Sequence, residues 1–83
     1  MYKQTLGLAE SCTGGLIASL ITANPGASAY FQGGVVSYSN HSKEKILQVH
    51  PSTINEHGAV SEETIKEMVT GVFHRLHTDY ALA

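Results

Sequence analysis

The chain has a single cysteine, Cys12, so no internal disulfide can brace it and no paired-cysteine zinc site can form. It has no tryptophan and only two prolines. Charge is sparse, with 14% of residues carrying one and a net charge of −2. The five basic residues form no stripe, which argues against nucleic acid as the main partner. No apolar run approaches the length of a membrane span, and the N-terminus lacks the pattern of a signal peptide. A soluble, cytoplasmic protein with Cys12 kept reduced is the expectation. At 83 residues the chain is one domain at most. A chain of this size buries only about 60% of its unfolded surface, so its core is thin.

Against this sparse background stands Ala9-Glu10-Ser11-Cys12-Thr13-Gly14-Gly15. A short apolar segment over 5–9 precedes it and reads as a buried strand. A longer one over 16–21 follows it and reads as a helix. Ser11, Cys12 and Thr13 then sit at a strand-to-helix turn, where free backbone N–H groups and the helix dipole favour an anion or a developing oxyanion. The plainer alternative is that Ser11 or Thr13 only caps the helix and the glycines only tighten the turn.

The rest of the chain alternates in the same way. The first helix is expected from Gly14 or Gly15 to about Ala23, where Asn24-Pro25-Gly26 stops it. Leu16, Ile17, Leu20 and Ile21 follow helical spacing. Val35, Val36 and Tyr38 mark a second strand over 33–39, with Gly33-Gly34 suggesting a bulge. Asn40 or Ser42 can cap a short helix over 43–49, which Pro51 is expected to end. A loop over 51–58, with room for a helical turn, leads to Ser61 as N-cap of the longest helix, about 62–77. Ile65, Met68, Val69, Val72, Phe73 and Leu76 give that helix the clearest apolar stripe. Residues 79–83 read as a third strand. Strands alternating with helices predict an α/β layered sheet.

Ser11, Tyr38, Lys43 and Lys45 are the polar groups that could act together. In a parallel sheet the ends of strands one and two lie on one edge, where α/β proteins bind ligands. A serine needs a base before it attacks a carbonyl, and a lysine can serve where burial or a positive neighbour disfavours its charge. Lys43 and Lys45 are two apart and do not share a helix face, so one can face the site while the other stays in water. Each of these residues also has a plainer role, as a strand-end tyrosine or a solvated helix start. Cys12 is a second possible nucleophile, although a lone cysteine is more often a small buried residue. Of the five histidines, His74 and His77 are spaced to share a helix face but have no carboxylate beside them at ligand spacing, and His41, His50 and His57 lie in separate loops, so no metal site is expected. Asn55-Glu56-His57-Gly58-Ala59-Val60-Ser61 reads as a turn and a cap.

Taken in series, four stretches resemble the CinA C-terminal domain family, the bacterial nicotinamide-nucleotide amidases. They are residues 9–15, residues 25–36, Tyr38-Ser39-Asn40 with Lys43, and His57-Gly58-Ala59-Val60-Ser61. The resemblance implies a three-layer α/β/α sandwich that converts nicotinamide mononucleotide to nicotinate mononucleotide and ammonia, in pyridine-nucleotide salvage and without metal or other cofactor. It places the nucleophile at Ser11, with Tyr38 and Lys43 activating it and handling the leaving ammonia; Lys45 lies close enough to compete with Lys43. Thr13, Gly14 and Gly15, with Gly34 and Asn40, are the implied substrate-binding residues.

The chain departs from the family in extent. Family domains usually carry a helix before the first strand and continue well past Ala83. Residues 1–83 are therefore expected to be a partial domain of about three strands and two to three helices. An edge over 79–83 with unpaired backbone invites pairing, so a homo-oligomer is expected, a strand-swapped dimer being one form. Two readings of function follow: a serine-dependent amidohydrolase of a small nucleotide, or an inactive remnant that binds nucleotide or assembles with itself. Neither involves nucleic acid or a membrane as partner.

Overall fold

The computed structural model describes residues 4–83. Strand β1 (Leu6–Glu10) leads into helix α1 (Leu16–Thr22), a 3-10 turn at Ala27–Ala29, and strand β2 (Phe31–Val36). Helices α2 (Asn40–Leu47), α3 (Pro51–His57) and α4 (Glu62–Leu76) follow, and β3 (Tyr80–Leu82) completes the order. The three strands form one sheet in the order β2-β1-β3, and both pairings are parallel. The fold class is α/β, as expected.

β1 lies in the middle and is the most buried strand, with Leu8 and Ala9 at 0% and 1% exposure. Successive strand residues face opposite sides. Ala9 joins a core of Leu47, Val49, Ile54, Met68 and Val72, supplied by α2, α3 and α4 with the link after α2. Leu8 lies outside that cluster and belongs to the other face, where α1 packs over β1 and β2. That gives helix, sheet and helix layers.

Several boundaries differ from expectation, each for a local reason. β2 begins at Phe31 rather than at Gly33, because Leu6 pairs with Phe31 and Gly7 with Gly33. Gln32 is the extra residue of a bulge, next to the suggested Gly33-Gly34, and Gly33 takes φ +152°. The cap of α2 is Ser39, whose Oγ accepts from Ser42 N at 3.1 Å, so the helix starts earlier than 43. Pro51 does not merely end a helix. It occupies the first turn of α3, where its missing N–H costs nothing. Gln48, at φ 60°, has already terminated α2. Ser61 caps α4 as expected, its Oγ accepting from Thr64 N at 3.2 Å.

Two glycines allow close packing. At Gly7 a Cβ would meet Leu76 Cδ1 and Thr78 Oγ1, each at 3.1 Å. At Gly71 it would run into the backbone of Leu47, with the Leu47 Cα at 2.9 Å. Gly71 thus weakens α4 as a helix but lets α2 lie against it. The apolar stripe of α4 is also rotated from its sequence reading. Thr64, Met68 and Val72 are its buried line, while Ile65 and Phe73 remain 40% and 41% exposed. On α1 no residue is buried, and Leu16 and Leu20 are largely exposed.

Candidate active site

Because all three strands are parallel, their C-terminal ends share one edge of the sheet. Ser11 follows β1 at this edge, Ser37 and Tyr38 follow β2, and Ala83 follows β3. α4 runs back toward the start of β3, so its N-terminus, with the Gly58–Ser61 loop before it, arrives at the same edge. Four segments distant in sequence therefore converge there.

Ser11 opens a tight turn in which Gly14 N donates to Ser11 O at 3.1 Å. Gly14 and Gly15 adopt φ 66° and 113°, which glycine reaches without strain. The N-terminus of α1 is already occupied by Glu10, which is only 4% exposed. Its carboxylate accepts from Ile17 N at 2.7 Å, Ala18 N at 3.0 Å and Thr13 Oγ1 at 2.9 Å. Burial pushes the Glu10 carboxyl up. The Ala18 and Ile17 amides and the Thr13 hydroxyl outweigh that and hold it below the ordinary carboxylate range. The charge expected from a bound anion is thus supplied from within the chain. The amides of Cys12 and Thr13, one turn earlier, find no acceptor among the described residues.

Lys43 is the second component. It is 2% exposed, and its Nζ donates to Ser11 Oγ at 3.0 Å and to Tyr38 O at 3.2 Å. No carboxylate lies within ion-pairing distance of it among the described residues. A lysine is almost never fully buried without such a partner. Here the side chain crosses from α2 to the end of β1 and meets a hydroxyl and a carbonyl. Ser11 also borders a cleft of about 170 Å³, between its own turn, Ile17, Met68, Ile65 and the Ala59-Val60 segment. No cluster of three metal-ligating side chains occurs among the described residues.

Known proteins match this chain along nearly its whole length. The CinA C-terminal domain model matches residues 1–83. A CinA-like protein of Shewanella piezotolerans is 54% identical over 80 residues, covering 96% of this chain. This chain belongs to the CinA C-terminal domain family. A CinA-like protein of Leptospira interrogans is likewise 54% identical, over 98% of the chain. The chain spans 19% of the length of both these curated relatives. Among solved structures, the competence/damage inducible protein CihA of Agrobacterium tumefaciens superposes with a TM-score of 0.93 at 39% identity. That match covers 95% of this chain and 48% of the Agrobacterium one. The competence damage-inducible protein A of Klebsiella pneumoniae superposes at 0.92, with 38% identity. The chain spans 49% of that structure.

In this CinA domain the residues singled out in the sequence take distinct places. Ser11 and Lys43 are in contact, whereas Lys45 is exposed. Tyr38 meets Lys43 through its main-chain carbonyl, and its side chain is 71% exposed. The Thr13 hydroxyl is engaged by Glu10. Gly34 sits in β2 beside Leu8, and Asn40 is the exposed first residue of α2. Cys12 is exposed in the cleft rather than buried. Glu10 was not singled out in the sequence, although an acid just ahead of a helix start is the signal that would have found it. Ala59 and Val60 read there only as turn and cap, and nothing local in the sequence links them to Ser11.

Proposed function

We propose that this CinA-family chain carries the nucleophile and base of an amidohydrolase that acts on nicotinamide mononucleotide. The observation that supports this most is the 3.0 Å contact between Lys43 Nζ and Ser11 Oγ, made by a lysine that is 2% exposed. In this reading Ser11 Oγ attacks the carboxamide carbon and passes its proton to Lys43 Nζ. The amides of Cys12 and Thr13 face the developing oxyanion. The proton returns through Lys43 to the departing nitrogen, which leaves as ammonia. Water then cleaves the Ser11 ester, and nicotinate mononucleotide is released. Tyr38 holds Lys43 by its carbonyl, and its exposed phenol is available to the substrate. Thr13, Gly14 and Gly15 shape the turn, while Gly34 lies in β2 and Asn40 opens α2.

The test is ammonia release from nicotinamide mononucleotide together with labelling of Ser11 by an acylating or phosphonylating serine probe. Ser11→Ala is expected to abolish both, and Lys43→Met to lower both by at least about a hundredfold, the lower end of what a general base contributes. A folded chain whose Ser11 is inert to the probe would refute the reading.

A second reading, an inactive module that binds nucleotide or assembles with itself, is favoured by the exposed apolar side chains. Leu20 is 61% exposed on α1, and Tyr80 and Leu82 are 55% and 49% exposed on the β3 edge. Ammonia release separates the two: a chain that releases ammonia, as monomer or oligomer, supports the enzyme, and a folded chain that self-associates without releasing ammonia supports the module.

A further inference from the structure

Glu10 is anchored through both its main chain and its side chain. Its carbonyl accepts from Ser37 N at 2.8 Å. Ser37 is completely buried and directly precedes Tyr38, whose carbonyl receives Lys43 Nζ. The Glu10 side chain folds back over the segment that follows it. Its Oε1 accepts from Thr13 Oγ1 at 2.9 Å and from Ile17 N at 2.7 Å, and its Oε2 accepts from Ala18 N at 3.0 Å. One carboxylate oxygen thus joins Thr13, inside the Ser11 turn, to the first turn of α1.

The turn has little else to hold its shape. Cys12, Thr13 and Gly14 are exposed, and a Cβ at Gly14 would meet nothing within 4 Å. Gly14 and Gly15, at φ 66° and 113°, belong to the residue type with the most backbone freedom. One main-chain hydrogen bond, from Gly14 N to Ser11 O, closes the turn. Without the carboxylate, the Cys12 and Thr13 amides would have no fixed direction relative to Ser11 Oγ. Donors stabilise an oxyanion most when they are already in place as it forms.

We infer that Glu10 is a positioning residue for the amide cleavage: its carboxylate ties Thr13 to the start of α1 and so keeps the Cys12 and Thr13 amides aimed where the oxyanion forms beside Ser11 Oγ. The inference rests on the amidohydrolase reading and adds a residue that acts through the turn rather than on the substrate. Such a residue governs the transition state and leaves substrate affinity alone.

The experiment measures kcat and KM for ammonia release from nicotinamide mononucleotide by the 83-residue chain, and the rate at which a phosphonylating probe labels Ser11. Glu10→Gln keeps the shape of the side chain, but in either orientation it turns its amide nitrogen onto a backbone N–H, of Ile17 or of Ala18. Its kcat and labelling rate are expected to fall about a hundredfold, the scale for reacting groups misplaced by about 1 Å, with KM unchanged. Glu10→Asp keeps the charge but draws the carboxylate back by one methylene, and should lose activity in the same way. Thr13→Val removes one of the three bonds and should lower kcat less. Glu67→Gln is the matched control for lost stability. Its carboxylate also accepts from a main-chain amide and a hydroxyl, those of His50 and Thr53, outside the Ser11 cleft, and kcat should stay as in the unmodified chain.

An unchanged kcat in Glu10→Gln would overturn the inference alone. So would a raised one, the result expected if Glu10 acted only by its charge against the oxyanion. A loss carried by KM, or an equal loss in Glu67→Gln, would overturn it too. Should Glu10→Gln fail to fold, full activity in Glu10→Asp and Thr13→Val would do the same. A folded, unmodified chain inert to both substrate and probe would overturn the amidohydrolase reading, and the inference with it.

Discussion

Lys43 and Glu10 are both nearly inaccessible to solvent, yet they are held in opposite ways. Glu10 accepts three hydrogen bonds that each favour its carboxylate, whereas Lys43 finds only a hydroxyl and a carbonyl. Burying a charge without an ion-pair partner is costly, so an apolar side chain of similar length at Lys43 removes that cost. Lys43→Met should therefore leave the melting temperature unchanged or raise it while serine labelling falls by at least about a hundredfold. Glu10→Ala should do the reverse to stability. It strands the Ile17 and Ala18 amides and should cost about 2 kcal/mol, the scale of hydrogen bonds to a charged group, read from urea midpoints. Because the fold holds the Glu10 carboxyl below its unfolded range, the unfolded chain binds the proton more readily. This contribution is complete above the ordinary carboxylate range and is lost as pH falls through it toward the folded value. Glu67 acts in the same sense, its carboxylate bound by the Thr53 hydroxyl and the His50 amide. Urea midpoints should fall on acidification, and Glu10→Gln should flatten that fall.

At the scale of elements, the helices were legible by their punctuation and less so by their faces. Ser61 with Glu62 and Glu63 announces α4, and the helix begins where those residues place it. Ser61→Ala should cost about 1 kcal/mol, as loss of a helix cap does, measured by thermal melting. The buried line of α4 differs from the sequence expectation by a small rotation. Helical periodicity defines a broad arc, and packing against β1, α2, α3 and β3 selects Thr64, Met68 and Val72 within it. Gly71 is the contact point. Gly71→Ala improves helix propensity, yet it drives a methyl into the Leu47 backbone and should destabilise by about 1–3 kcal/mol through overpacking. A rise in stability would refute the close α2–α4 approach. Pro51 was ambiguous in the sequence because proline ends one helix and begins another equally well, and only the αL turn at Gln48 shows which it does here.

Across the whole molecule the sheet has three strands, and β3 offers a short edge beside exposed Tyr80 and Leu82. An open edge next to apolar side chains favours strand pairing with a second copy. We propose that the chain self-associates through this edge. Leu82→Lys, which adds charge to the edge, should shift a size-exclusion profile toward monomer. A profile already monomeric for the unmodified chain would overturn the proposal. Among the described residues no helix is long and apolar enough to cross a membrane.

The order of strands and helices, the turn at Ser11 and the cap at Ser61 were readable along the chain because each depends on neighbours in sequence. Periodicity, glycine and capping chemistry act over a few residues, and they suffice to place Ser11 at a strand-to-helix turn. Which of Lys43 and Lys45 meets Ser11, the burial of that lysine, and the meeting of Val60 with the Ser11 turn depend on the tertiary fold. Two lysines two residues apart are equivalent until α2 docks on α4 through Gly71 and turns one of them toward β1. Val60 and Ser11 are separated by three helices and a strand, and they become neighbours only because parallel pairing brings the end of β1 and the start of α4 to one edge.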